Sequence, residues 1–309
     1  MRFADSAHTA LLPNPKGGEP IWFTPDPGWN YNPGRAAFTP DLSRYDPKLA
    51  EAFRAEARLL DAGRPSTLES MDDHKPARTA WNGFPDVSIQ ASESAVKQHP
   101  QYAAAKSGEI DAAFALVIDT LDVARIGAAL GDSKPVVAGV QAVEGASVNV
   151  IPEVMAAYVA QTLGLPVDAQ IVQINRVGHT GASGFHRLAT PALFDGAVES
   201  GKDYVLMDDF VGQGGTLANL RGHIEQSGGR VILAVALTGK PFSSRLALSE
   251  TTLQQLRAKH GPDLENWWRE RFGYGFELLT ESEARYLLNT QDADTVRARI
   301  LADVQTPDS

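Results

Sequence analysis

The segment from Tyr204 to Thr216 constrains the fold more than any other part of the sequence. An apolar run ends in two adjacent acids, Asp208 and Asp209, and a glycine-rich loop then leads into a helical pattern. This order predicts a buried strand with carboxylates at its tip, followed by a helix whose first N–H groups face the loop. Such a helix terminus binds phosphate. Because carboxylates repel phosphate, the acids are better suited to sugar hydroxyls or a metal ion. The segment therefore indicates a ligand that carries both phosphate and sugar.

Strand-like apolar runs alternate with helical patterns on both sides of this segment. The predicted strands are 136–140, 169–174, 204–207 and 231–237, and the predicted helices are 110–130, 152–163 and 217–226. This alternation predicts an α/β fold, in which helices cover both faces of a parallel sheet. In such sheets ligands bind beyond the C-terminal ends of the strands, where the acids lie.

Composition divides the chain into three predicted parts. Residues 1–107 form an extended arm that is rich in proline and aromatic residues, with a short helix at Pro47–Leu60. Residues 108–244 form the α/β core. Residues 245–309 form a small helical cap, in which Thr280-Glu281-Ser282-Glu283 has the pattern of a capping box.

The segment resembles the 5-phosphoribosyl-1-pyrophosphate (PRPP) motif of the type I phosphoribosyltransferases, and it matches that motif at every position. The resemblance implies the type I phosphoribosyltransferase fold for the core. It also implies that Asp208 and Asp209 are catalytic and hold the ribose hydroxyls of PRPP. The loop would bind the 5′-phosphate through Gly212, Gln213, Gly214, Gly215 and Thr216.

A pyrophosphate loop follows the first core strand in that family. The corresponding residues here are Val143, Glu144, Gly145 and Ala146. The small residues Gly145 and Ala146 allow close approach of the backbone to pyrophosphate. The loop departs from the family pattern because it contains an acid and neither Arg nor Lys, so the neutralising cation must come from Mg²⁺ or from another part of the chain.

A mobile catalytic loop precedes the motif strand in the same family. The resemblance assigns it here to residues 176–187, and its candidate catalytic residues are Arg176, His179, His186 and Arg187. Three glycines make this segment pliable, as expected for a lid. A solvated basic loop has the same composition, and the periodicity does not distinguish the two.

The implied activity is that of a glycosyltransferase acting in pentosyl transfer: a nitrogen nucleophile, taken here to be a nucleobase, displaces pyrophosphate from PRPP. Mg²⁺ is the implied cofactor, held mainly by PRPP oxygens, and no protein metal ligand is assigned. The acceptor is left open, because the hood that selects it could come from the cap, the arm or both. The candidate stacking residues are Phe242, Tyr274 and Phe276, for which ordinary packing is the competing interpretation. The alternative is a regulatory or capsid-associated protein that binds PRPP or a nucleotide without turnover, which Glu144 favours.

A second and shorter resemblance lies in the arm. Residues Pro27–Gly34 resemble the tail of phage Mu F-like minor head (head-morphogenesis) proteins. This resemblance implies an association with a phage, and a turn with packed aromatic rings is the competing interpretation.

Composition limits the class of protein and its partners. The net charge of −10 argues against a protein that coats nucleic acid or anionic membrane. The chain has no cysteine and no apolar run long enough to span a bilayer. We expect a cytoplasmic protein whose partners are PRPP and a small acceptor molecule. Its oligomeric state is left open between a monomer and a homodimer wrapped by the arm.

Overall fold

The computed structural model describes residues 75–140, 142–144, 147–168, 170–175, 177 and 182–305, together with two short strands nearer the N-terminus. Those two strands, β1 (Ala10–Leu12) and β2 (Ile21–Phe23), pair with each other in antiparallel fashion. The predicted helix at 47–60 and the Mu F-like segment at 27–34 lie outside the described residues.

A five-stranded parallel sheet forms the centre of the fold. In chain order, the strands that follow β2 are β3 (Ser88–Ile89), β4 (Val136–Gly139), β5 (Ala142–Glu144), β6 (Ser147–Asn149), β7 (Val167–Asp168), β8 (Val172–Gln173), β9 (Phe194–Asp195), β10 (Asp203–Val211) and β11 (Arg230–Gly239). The sheet has the order β3-β11-β10-β4-β7, and all of its neighbouring strands are parallel. Two antiparallel pairs, β5 with β6 and β8 with β9, lie outside this sheet.

The described helices surround this sheet and build the C-terminal part. They are α1 (Glu93–Lys97), α2 (Tyr102–Lys106), α3 (Ile110–Thr120), α4 (Val123–Leu130), α5 (Ile151–Leu163), α6 (Gly184–Ala189), α7 (Gly215–Gln226), α8 (Glu250–Phe272), α9 (Glu281–Leu288) and α10 (Ala293–Gln305). None of the helices in the described part of the chain is long and apolar enough to cross a membrane.

The central strand β10 has an apolar core on each of its faces. Val205 and Met207 belong to a core shared with α3, α4 and α5, whereas Tyr204 and Leu206 belong to a core shared with α7. This division follows from the strand geometry, since successive side chains of a strand point to opposite faces. The predicted fold class, a parallel α/β sheet with helices on both faces, is confirmed.

One predicted core strand is wrong. The described part of this run, residues 170–174, does not enter the parallel sheet, whose edge strand is β7 and ends at Asp168. The Asp168 carboxylate accepts hydrogen bonds from the backbone N–H groups of Gln170 (2.8 Å) and Ile171 (3.1 Å), which turns the chain. The next extended residues, Val172–Gln173, pair with β9 instead.

The single helix predicted over 110–130 is also divided in the structure. It breaks after Thr120, and Asp122 begins α4 by accepting a hydrogen bond from the backbone N–H of Arg125. A short acceptor side chain at this position favours a new helix start over continuation of the first helix.

Residues 75–107, assigned to the arm by composition, pack into the core. Strand β3 pairs with β11 at the edge of the sheet. The Arg221 guanidinium of α7 stacks against Trp81 and Phe84, 5.1 and 4.7 Å from their ring centroids, and donates to the Ala80 carbonyl. The division into arm, core and cap stays a prediction. Trp81 and Phe84 of the predicted arm belong to the same apolar cluster as residues of the sheet.

The C-terminal helices form a third apolar cluster with α6. Trp268, Phe272 and Phe276 are buried at its centre. The predicted capping box is present at the start of α9: Thr280 accepts from the Glu283 N–H, and Glu283 accepts from the Thr280 N–H. The helical cap predicted from residue 245 onward thus has an apolar core of its own, in which α6 also takes part.

The close approach between α7 and the 75–78 segment gives a stability test. A Cβ atom at Gly222 would lie 2.2 Å from the Ala77 carbonyl oxygen, a backbone atom that cannot yield without moving the segment. We expect Gly222→Ala to lower the free energy of unfolding by about 2 kcal/mol, as overpacking does.

Gly127→Ala is the matched control in denaturant unfolding. Its Cβ would meet only the flexible Leu163 side chain, at 3.3 Å. Since alanine has the higher helix propensity, we expect this variant to be at least as stable as the parent chain. Equal unfolding midpoints for Gly222→Ala and the parent chain would contradict the assigned packing.

Candidate functional site

The two acids of the motif lie within the central strand, on opposite faces of the sheet. Strand β10 extends to Val211, beyond the predicted end at Met207, and pairs Asp208 with Ala236 of β11. Asp208 is therefore on the α7 side of the strand, and Asp209 is on the side of α3 and α5. The Asp208 carboxylate is buried and accepts a hydrogen bond from the Asp209 N–H at 2.8 Å.

Asp209 forms an ion pair that the sequence did not predict. Its Oδ2 lies 2.7 Å from Nζ of Lys106, the last residue of α2. The two side chains are 12% and 21% exposed, so the pair is largely shielded from water. A cation from the 1–107 region thus reaches the acid pair of the motif.

The glycine loop holds the start of α7 in a fixed conformation. Gly214 precedes the helix with a left-handed φ of 80°, and a Cβ atom there would lie 2.3 Å from Leu246 Cδ2. The preceding Gln213 carbonyl accepts a hydrogen bond from Thr280 Oγ1 at 2.6 Å. Contacts from the C-terminal part therefore fix the loop that is predicted to bind phosphate.

An open pocket lies at the tip of β10, beside the first turn of α7. Among its lining residues are Arg78, Arg187, Asp208, Phe210, Gly212, Gln213, Gly214, Gly215, Thr216, Asn219, Tyr274 and Glu283. The structure thus brings Asp208, the whole glycine loop and one basic residue of the predicted lid to a single cavity. Asp209 is absent from the lining, in keeping with its position on the other face.

A buried ion pair forms one wall of this pocket. Arg78 donates two hydrogen bonds of 2.9 Å to Glu283, and the two side chains are 2% and 4% exposed. Its remaining bonds go to Asn219 Oδ1 and the Leu278 carbonyl, and the Tyr274 ring lies 4.9 Å away. Burial alone would lower the pKa of Arg78, but attraction to Glu283 and Tyr274 and the hydrogen bonds to Glu283 together outweigh it, so this pKa lies above its ordinary value.

This ion pair contacts the predicted phosphate loop directly. A Cβ atom at Gly215 would lie 2.5 Å from Glu283 Oε1, so the carboxylate is packed against the first residue of α7. A carboxylate at a helix N-terminus competes with phosphate for the same positive potential. Arg78 neutralises it, and the start of α7 stays suitable for an anion.

Gln213 offers further polar groups at the same place. Its side-chain Nε2 and Oε1 are both buried and have no hydrogen-bond partner among the described residues. Buried polar atoms without partners are uncommon in folded proteins. Gln213 is also one of the residues that line the pocket, so these buried polar atoms lie in its wall.

The predicted lid is described in part, since Arg176 and His179 lie outside the described residues. Arg187 lines the pocket, whereas His186 does not belong to its lining. The His186 ring has its Nε2 2.9 Å from the Val177 carbonyl and its Nδ1 3.6 Å from Asp303 of α10. The catalytic roles of these residues stay predictions.

The predicted pyrophosphate loop joins the antiparallel strands β5 and β6. Val143 and Glu144 belong to β5, whereas Gly145 and Ala146 lie outside the described residues. The chain leaves the parallel sheet at Val140, whose N–H donates to the Met207 carbonyl. The loop thus begins one strand away from the acid pair, and its role stays a prediction.

The stacking candidates have different surroundings. Tyr274 and Phe276 are buried in the cap, where Tyr274 also forms part of the pocket wall, and burial raises the pKa of Tyr274. Phe242 is 62% exposed. A further aromatic residue, Phe210, follows the acid pair and lines the pocket.

Arg78, Lys106 and Glu283 are site residues that the sequence analysis missed. Glu283 was identified as part of a capping box, which is a signal for a helix start rather than for a site. The sequence contains no comparable signal for Arg78 or Lys106. Among the described residues, no three acidic or histidine side chains converge in a way that could hold a metal ion.

Comparisons with known proteins give two curated relatives. The "Protein TraN" of Escherichia coli is 40% identical over 228 residues, which cover 73% of this chain and 51% of that protein. An uncharacterized protein of Haemophilus influenzae is 35% identical over 163 residues, which cover 52% of this chain and 36% of that protein. The chain therefore spans about half or less of the length of these relatives. No family model matches it.

Two solved structures are similar to parts of the chain. An adenine phosphoribosyltransferase has 16% sequence identity and a TM-score of 0.29, over 42% of this chain and 71% of that one. A UMP synthase of Leishmania donovani has 17% identity and a TM-score of 0.27, over 54% of this chain and 32% of that one.

The buried ion pair gives a second stability test. We expect Arg78→Met to lower the free energy of unfolding by about 3–5 kcal/mol, because it leaves the Glu283 carboxylate buried without its partner. The double variant Arg78→Met with Glu283→Met removes both charges, and we expect it to recover part of that loss. Denaturant unfolding of the parent, both single variants and the double variant measures the coupling.

Arg257→Met is the matched control. Arg257 also pairs with carboxylates, Glu265 and Glu277, but its side chain is 44% exposed. A loss for Arg78→Met no larger than that for Arg257→Met would show that the pocket wall does not depend on the ion pair.

Proposed function

We propose that the chain is a PRPP-dependent phosphoribosyltransferase with the type I fold. In the proposed reaction, a nitrogen nucleophile attacks C1 of the ribose as the bond from C1 to the pyrophosphate oxygen breaks. The bonding electron pair leaves with pyrophosphate, and the proton of the nucleophile passes to solvent. A nucleobase is the proposed acceptor.

One observation carries the proposal: Asp208, the complete glycine loop and the start of α7 line the same pocket. A ligand with a phosphate at the loop and hydroxyls near the acids would use every element of the motif. The N–H groups of the first helical turn bind the 5′-phosphate, and the Thr216 hydroxyl and Gln213 side chain supply further polar contacts.

Positive charge on the ribose develops in the transition state of such a displacement. Asp208 and Asp209 lie in the C-terminal half of β10, and in the proposed reaction they hold the ribose hydroxyls and stabilise this charge. Arg187, which also lines the pocket, can bind the departing anion. The chemical task of the chain is then to position the reactants and to stabilise charge, with no covalent intermediate.

The resemblance also implies Mg²⁺, and the residues present fit an ion brought by the substrate. Mg²⁺ retains several waters and binds through one or two carboxylates together with substrate phosphates. Asp209 has this chemistry and lies on β10, which pairs with β4, the strand that precedes the predicted pyrophosphate loop in the chain. When bound, the ion would neutralise part of the pyrophosphate charge.

The proposal is tested by screening nucleobases with PRPP and Mg²⁺ and measuring pyrophosphate release. With the acceptor found, we expect Asp208→Asn with Asp209→Asn to reduce turnover at least about a hundredfold, because both stabilising charges are lost. We expect the double variant to keep its fold, as judged by circular dichroism.

The matched control is Asp203→Asn, which removes a carboxylate from the other end of the same strand, where it pairs with the exposed Arg230. We expect this variant to retain activity. If the Asp208 and Asp209 double variant kept full turnover, the assignment of the acids would be wrong.

The second candidate function is binding of PRPP without turnover. It is favoured by Glu144, an acid in the predicted pyrophosphate loop. Calorimetry separates the two functions: binding of PRPP together with release of pyrophosphate supports the transferase, and binding without release for any acceptor supports the sensor. Thr216→Val is a better probe of the phosphate site than Gly214→Val, because a side chain at position 214 would collide with Leu246 whether or not phosphate binds there.

A further inference from the structure

The predicted phosphate loop consists largely of residues with little conformational preference of their own. Three of the four residues from 212 to 215 are glycines. Glycine loses more conformational freedom on ordering than any other residue, so a loop of this composition is not held in one conformation by its own sequence. A ligand that had to order the loop would bind more weakly for that reason. A contact that fixes the loop before the ligand arrives therefore raises affinity without touching the ligand.

The C-terminal part of the chain holds the loop backbone at two successive residues. The Gln213 carbonyl accepts a hydrogen bond of 2.6 Å from Thr280 Oγ1. The next residue, Gly214, packs against Leu246, since a Cβ atom at Gly214 would lie 2.3 Å from Leu246 Cδ2. The hydrogen bond differs from the packing contact because it is directional. It therefore fixes the orientation of a peptide group as well as its position.

The bond to Thr280 sets the direction of the peptide group between Gln213 and Gly214. This peptide is trans, so its C=O and N–H groups point in opposite directions. The Gly214 N–H is therefore turned away from Thr280. The first helical bond of α7 runs from the Ala218 N–H to the Gly214 carbonyl, so the N–H groups of residues 215–217 have no acceptor within the helix. The orientation of this peptide thus determines how the proposed phosphate donors begin.

Thr280 serves two helix starts through one hydroxyl group. Its oxygen accepts a hydrogen bond of 3.0 Å from the Glu283 N–H and so caps α9. A threonine hydroxyl also has one hydrogen to donate, which the capping box does not use. Here that hydrogen is donated to the Gln213 carbonyl. Thr280 is fully buried, so water does not compete for either bond. The capping box therefore links the start of α9 to the loop before α7.

We propose that Thr280 is a positioning residue for the phosphate loop. Its hydroxyl holds the peptide between Gln213 and Gly214 in the conformation from which the first N–H groups of α7 bind phosphate. This proposal rests on the proposed function, because it takes the 5′-phosphate to be the ligand of the loop. Thr280 is not among the residues that line the pocket, so it acts through the loop backbone and does not touch the ligand.

The test measures the binding of ribose 5-phosphate by calorimetry, at a temperature where circular dichroism shows every variant to be folded. Thr280→Val replaces the hydroxyl with a methyl group, so the donor is lost while the shape of the side chain is kept. We expect this variant to bind ribose 5-phosphate about fivefold more weakly, the change that corresponds to loss of one neutral hydrogen bond. Thr280→Ser keeps the hydroxyl, and we expect it to bind within about twofold of the parent chain.

Thr280→Gly separates the two uses of the hydroxyl, and it serves as the second variant if Thr280→Val does not fold. Glycine is nearly as favourable as threonine at a helix N-cap, so α9 keeps its start, but glycine has no hydroxyl to donate. We expect Thr280→Gly to lose as much affinity as Thr280→Val. If Thr280→Gly bound ribose 5-phosphate as tightly as the parent chain, the bond to Gln213 would not position the loop and the proposal would be overturned.

Ser249→Ala is the matched control for loss of a helix cap. The Ser249 hydroxyl caps α8 by accepting from the Thr252 N–H at 3.2 Å, and it donates to Thr252 Oγ1 rather than to the loop. We expect Ser249→Ala to lower the free energy of unfolding and to leave ribose 5-phosphate affinity unchanged. Equal losses of affinity for Ser249→Ala and Thr280→Val would show a general effect of destabilisation, which would also overturn the proposal.

Failure of this proposal and failure of the proposed function give different results. If the parent chain binds neither ribose 5-phosphate nor PRPP with Mg²⁺, the proposed function fails, and the proposed role of Thr280 fails with it. If the parent chain binds ribose 5-phosphate and the variants without the hydroxyl bind it equally well, the proposed function stands and only the role of Thr280 is overturned.

Discussion

The buried ion pair between Arg78 and Glu283 is the interaction on which the pocket depends. Arg78 lies in the segment before β3, Glu283 lies in the first turn of α9, and both contact the start of α7 through Asn219 and Gly215. Three distant parts of the chain therefore meet at one charged contact. A buried ion pair adds little net stability compared with apolar packing, but loss of one partner is costly. Such a pair specifies how these parts fit together.

Charge is balanced separately on the two faces of the sheet. On the α7 face, Arg78 compensates Glu283 beside the glycine loop, and Arg187 lines the same pocket as Asp208. On the other face, Lys106 compensates Asp209. Glu283 and Asp209 are therefore each paired with a cation, although the chain as a whole has a net charge of −10. A site with balanced charges can accept an anionic ligand that the net charge alone would disfavour.

Local sequence patterns predicted the strand, loop and helix of the motif and the parallel sheet around it. These features depend on residues close in the sequence: the apolar run before Asp208, the glycines after Val211 and the caps of the helices. The edge strand was placed wrongly because the turn after Asp168 depends on a side-chain hydrogen bond, which leaves no periodic signal. Arg78 and Lys106 were missed for a different reason, because their partners lie far along the chain and single-sequence patterns carry no information about such contacts.

The separation of the ion-pair partners has a consequence for how the protein acquires its site during synthesis. Arg78 and Glu283 are 205 positions apart, so the ribosome releases the complete glycine loop and both motif acids well before the carboxylate that supports them. All five strands of the parallel sheet and α7 precede α9 in the chain and therefore emerge before it. The pocket wall closes only after α9 has left the exit tunnel. A nascent chain stopped before α9 would therefore carry the whole motif without the wall that shapes its ligand site.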